Sequence, residues 1–146
     1  VGLFSVPLAA TTDTPATPLP GTAAGGRDFS QTALSPDGAR FAGHLVSESG
    51  RPFGVAVYDI GAQTTTMVSA DQTPGPRWLA DSRRVVYFTK NGRELVVLDT
   101  VTRTRTVVDV RLTVPSASEV IAISPDNRTI YYGGARAEAD IWIVER

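Results

Sequence analysis

Three aspartates set the frame for this chain. Asp37, Asp81 and Asp126 lie 44 and 45 residues apart, and each sits in a turn of one type. The turns read Ser35-Pro36-Asp37-Gly38, Leu79-Ala80-Asp81-Ser82 and Ser124-Pro125-Asp126-Asn127. Proline presets the backbone at the second turn position, Asp caps its own backbone, and Gly or Asn tolerates the left-handed exit. A β-rich strand follows each turn. Further on, VAVYDI, LVVLDT and IWIVER align as a third strand ending in an acidic residue.

A repeat of about 40–45 residues holding four short strands is the mark of a propeller blade. No segment shows a helical period longer than a turn. A β-sandwich also spaces short strands every 8–12 residues, but nothing in it repeats one turn chemistry at one phase three times. The sequence therefore predicts an all-β protein, a β-propeller of three four-stranded blades per chain. The blades fall at about 30–69, 75–110 and 119–146.

Within the first unit, strands are expected up to Leu34, over Phe41–Val46, Gly54–Ile60 and Thr64–Val68. In the second they are expected over Arg77–Leu79, Val85–Thr89, Leu95–Leu98 and Thr104–Val110, with Asn91-Gly92 as a tight hairpin turn. The third unit offers Val120–Ile123, Ile130–Tyr132 and Asp140–Val144 and stops one strand short.

Residues 1–29 read differently. Val1–Leu8 suits one short strand, with Pro7 at its end. A Thr-, Pro-, Ala- and Gly-rich linker follows, with a brief extended piece near Pro18.

The segments SPDGARFAG, SPDNRTIYYGG and ADIWIVER resemble the WD-repeat-like propeller repeats of the TolB type, over residues from about 30 to 146. The true WD pattern is not matched: there is no Trp-Asp dipeptide, and Gly43-His44 falls inside a strand. The resemblance implies a non-catalytic propeller, periplasmic or exported, that presents its channel mouth or rim to proteins or peptides. Similar blades also form the gating propeller of prolyl-oligopeptidase-type peptidases.

Propellers close with roughly 4–8 blades. Three blades leave two flat apolar faces in water, and faces of that kind mark interfaces. The expected assembly is a homodimer closing a six-bladed ring. In it, Val1–Leu8, or the piece near Pro18, of one chain completes the last blade of the other. The alternative is a piece or accessory domain of a larger enzyme or sensor, such as a peptidase- or kinase-linked propeller.

Bulk properties narrow the partners. The net charge is −1, from 14 basic and 15 acidic residues, and gives no pull toward nucleic acid. No apolar run approaches the ~20 residues of a membrane helix. There is no cysteine, hence no thiolate nucleophile or zinc–thiolate site. His44 is the single histidine and lies in an alternating strand, where a structural role is the common one. Asp37, Asp81 and Asp126 belong to different blades and cannot converge on one ion. Neither a catalytic residue, a metal nor a cofactor is expected.

Three residues remain as candidates for binding a ligand or partner: Arg77, Trp78 and Glu119. Arg77 and Trp78 fall on an innermost strand next to the axis, where they can offer cation–π or stacking contacts. Packing between blades is the other role open to Trp78. Glu119 is the nearest inward carboxylate, too isolated for the paired carboxylates of a glycosidase.

Overall fold

The computed structural model describes residues 3–9, 14–73, 75–89, 92–110 and 116–134, and for 116–120 the backbone alone. All regular structure among them is β. The strands are β1 (Phe4–Ser5), β2 (Thr17–Pro18), β3 (Ala23–Ala24), β4 (Arg27–Leu34), β5 (Arg40–Val46), β6 (Pro52–Asp59) and β7 (Thr64–Ser69). They continue with β8 (Arg77–Trp78), β9 (Arg84–Phe88), β10 (Leu95–Asp99), β11 (Arg105–Val108), β12 (Ser116–Ile123) and β13 (Ile130–Gly134).

Each unit is an antiparallel meander. β4-β5-β6-β7 form the first blade, with β3 added beyond β4. The second blade is β8-β9-β10-β11, and β12 pairs with β13 in the third. The third strand expected at Asp140–Val144 lies outside the described residues.

One rule builds the three turns after the inner strands. The amide of Gly38, Ser82 or Asn127 donates to the carbonyl three residues back, at 2.8, 3.1 and 2.9 Å. All three residues have positive φ, at 73°, 53° and 58°. The aspartates cap these turns. Asp37 Oδ1 accepts from the amide of Ala39, Asp81 Oδ1 from those of Arg83 and Arg84, and Asp126 Oδ1 from that of Arg128. The outer turns repeat as well. Asp59 and Asp99 accept amides two or three residues on, and Gln63 and Arg103 take the left-handed position.

Alternation along each strand sends side chains to the two faces of a blade, and the blades stack through those faces. Ala42, Val55, Val57 and Val68 of the first blade meet Trp78, Val85, Tyr87, Val96 and Leu98 of the second. The opposite face of the second blade, with Val86, Phe88 and Leu95, packs against Ile121, Ile123, Ile130 and Tyr132 of the third. Phe88 and Tyr132 meet ring to ring, with centroids 5.3 Å apart.

The N-terminal part departs from expectation. Of the residues read as a linker, the described ones from Thr14 to Ala24 lie across the outer face of the first blade. β1 pairs with β2, and Leu3 joins Leu19 and Ala24 over Phe29, Phe41, Leu45, Ala56, Tyr58 and Ile60. One of the two apolar flanks is therefore covered by the chain itself. Within the single chain, Phe4 and Ser5 pair with Pro18 and Thr17.

Candidate functional site

The inner strands β4, β8 and β12 lie side by side, and their C-terminal ends meet at a cleft of about 250 Å³. Ala33, Leu34, Pro36, Arg77, Trp78 and Ile123 line it. Leu34, Trp78 and Ile123 are one position repeated three times, each the last strand residue before an Asp turn. The repeat itself thus brings three large apolar side chains to one end of the inner strands.

Trp78 serves the interior first. It is 7% exposed and belongs to the cluster between the first two blades. Its indole Nε1 donates to the Ala33 carbonyl oxygen at 3.2 Å. The Arg40 guanidinium lies 5.3 Å above its ring, within cation–π range. One edge of Trp78 is left to wall the cleft.

Arg77 is half-buried beside it. Its Nη1 donates to the carbonyl oxygens of Thr32 at 3.0 Å and Pro76 at 3.2 Å. No carboxylate pairs with it among the described residues, and burial lowers its pKa from the usual guanidinium value. Backbone oxygens thus fix one nitrogen of the planar fork, which carries five N–H donors in all. Leu34, half exposed, stands across the opening.

Of the three residues picked from sequence, Arg77 and Trp78 come together here. Glu119 falls on β12, where its side chain lies outside the described residues. Leu34, Pro36 and Ile123 were missed, although aligning the residue before each Asp turn would have found the first and last. Among the described residues, the lining carries no carboxylate, imidazole or hydroxyl. Elsewhere, no group of three or more His, Asp or Glu is placed to hold a metal ion among the described residues.

Antiparallel sheets stacked face to face, joined at their inner strands and repeated every 44–45 residues, make this a propeller-like array of blades. The crystal structure of TolB from Acinetobacter baumannii is similar to it, with a TM-score of 0.56 and 17% sequence identity. The likeness covers 80% of this chain and 28% of that one, and it shows the shared fold. No family model matches the chain, and no curated protein matches it.

Proposed function

We propose that this chain is a non-enzymatic β-propeller scaffold that holds a protein or peptide, seated in the cleft at the ends of β4, β8 and β12. The observation that carries this is the pairing of exposed apolar surface with a partly desolvated cation. Leu34 is 50% exposed, and Arg77 has no carboxylate partner among the described residues. A desolvated guanidinium favours a planar anion, which it can bind through two parallel hydrogen bonds. The fitting ligand is an extended segment with an apolar side chain next to a carboxylate. Closure of two copies into a six-bladed ring, in the periplasm or outside the cell, belongs to the same reading. It requires the covered flank of the first blade to become free.

A panel of short peptides, apolar residues followed by Asp, Glu or a free C-terminus, tests the proposal by calorimetry. Arg77→Gln should weaken acidic members by roughly tenfold and leave amidated, uncharged ones little changed. Absence of binding throughout the panel at millimolar peptide, or equal loss for charged and uncharged members, counts against it.

A further inference from the structure

The cleft at the ends of β4, β8 and β12 holds one cation between two small residues. The positions equivalent to Arg77, 44 residues before it and 45 after it, are Ala33 and Ala122. The long side chain of Arg77 therefore has no counterpart at its level of the inner strands. Leu34, Trp78 and Ile123, one position further on, add an apolar wall beside it. The lining thus offers a charged contact and an apolar contact side by side.

The backbone decides which edge of the guanidinium is open. Nη1 donates to the carbonyl oxygens of Thr32 and Pro76. Thr32 is fixed in turn, because its hydroxyl donates to the Pro76 carbonyl at 2.8 Å. Nε and Nη2 have no hydrogen-bond partner among the described residues. These two nitrogens form one edge of the planar fork, and that edge matches the two oxygens of a carboxylate.

Size and charge narrow the ligand further. The cleft measures about 250 Å³, below the roughly 300–1,000 Å³ of drug-sized sites, so it seats one residue and not a run of chain. In the last residue of a peptide, the apolar side chain and the carboxylate spring from the same Cα. An internal Asp or Glu supplies the carboxylate on one residue and leaves the apolar group to another. A free amino acid carries both groups but brings an ammonium as well. Among the described residues the lining has no carboxylate to meet that ammonium, and Arg77 repels it. In a peptide the same nitrogen is acylated and neutral.

We propose that the cleft receives the C-terminal residue of a protein or peptide, with its α-carboxylate on Nε and Nη2 of Arg77 and an aliphatic side chain against Leu34, Trp78 and Ile123. The inference rests on the reading of this cleft as a binding site, and it adds which part of the partner enters.

Calorimetry of the full chain with four probes tests it. The probes are N-acetyl-Ala-Ala-Leu as the free acid, the same peptide as its amide, N-acetyl-Ala-Leu-Asp amide, and free leucine. The free acid should bind at least roughly tenfold more tightly than each of the others. Arg77→Lys keeps the charge and loses the fork, so it should weaken the free acid by about tenfold and leave the amide unchanged. Leu34→Ala, at a half-exposed position, should reduce the preference for a C-terminal leucine over a C-terminal alanine. Equal or tighter binding of the aspartyl amide overturns the C-terminal inference and leaves the scaffold reading standing. Equal binding of free leucine overturns it in favour of a small-molecule site, and an Arg77→Lys variant that holds the free acid as tightly as before overturns it too. Absence of binding by all four probes at millimolar concentration removes the scaffold reading with it. Should Arg77→Lys fail to fold, the order of the four probes on the unaltered chain, together with Leu34→Ala, still decides.

Discussion

The Asp37 amide donates to Ser82 Oγ at 3.0 Å, across 45 residues of sequence. Both belong to Asp turns, so the turn of one blade is stitched to the turn of the next. Arg40 adds to the seam by donating from Nη2 to the Ser82 carbonyl. Ser82 does this from a left-handed backbone position, φ 53°, with 8% of its surface exposed. Removing its hydroxyl leaves a donor short of its partner. Ser82→Ala should cost about 1–2 kcal/mol in urea unfolding. Ser82→Gly, which loses the same bond but relaxes the backbone, should cost less.

Trp78 separates packing from hydrogen bonding. Trp78→Ala opens a cavity between the first two blades and should cost about 3–5 kcal/mol. Trp78→Phe keeps much of the ring and loses the bond to the Ala33 carbonyl. A loss nearer 1 kcal/mol is expected for that bond, with further loss from the smaller ring. If both variants unfold at the unaltered midpoint, the stacking of these blades is not what holds the fold.

The period, the strand order and the Asp turns were legible because each follows from local chemistry repeated at one phase. Gly38, Ser82 and Asn127 differ in type, yet all three accept the left-handed exit that the turn demands. The N-terminal cover of the first blade was not legible. Leu3 sits in the short strand read at Val1–Leu8 and Leu19 in the Thr-, Pro- and Ala-rich run, and their burial depends on a blade surface far along the chain. Within the cleft, Arg77 and Trp78 stood out by residue type. Leu34 and Ile123 carry no such mark, and only their shared phase connects them with Trp78. Arg103 takes a left-handed turn position, and Arg105 pairs with Asp71 and Glu94.

Gly43 in β5 tests how closely the backbones approach. It pairs with Gln31 across the sheet, and an added Cβ would lie 2.0 Å from the Ser30 carbonyl oxygen and 2.9 Å from the Phe29 ring. Both neighbours are fixed by the blade, so the strain has no easy outlet. Gly43→Ala should destabilise by about 1–3 kcal/mol, the usual range for overpacking. Gly38→Ala, at a turn with open space around it, meets only the cost of its positive φ, about 1–2 kcal/mol. Thermal midpoints of the two variants check the contrast: Gly43→Ala should leave the Phe29 ring displaced, visible as altered near-ultraviolet dichroism, while Gly38→Ala should not.

At the rim, Asp71 Oδ2 accepts the Tyr87 hydroxyl proton at 2.6 Å and the Arg105 Nε proton at 2.7 Å. Burial pushes the Asp71 pKa up, but these hydrogen bonds and the Arg105 charge outweigh it, so the net shift is downward. Burial first, and then the bond to Asp71, raise the Tyr87 hydroxyl above its usual value, keeping it protonated as a donor at neutral pH. A carboxylate lowered on folding adds stability above its unfolded pKa, about 4, and that stability is lost as pH falls through the folded value. Asp37, Asp81, Asp99 and Asp126 shift in the same direction. The urea midpoint should therefore be nearly flat through neutral pH and should fall below about pH 4. Asp71→Asn should lower the plateau and make the acid limb shallower, since that group no longer titrates. An unchanged acid limb would show that the rim cluster is not coupled to folding.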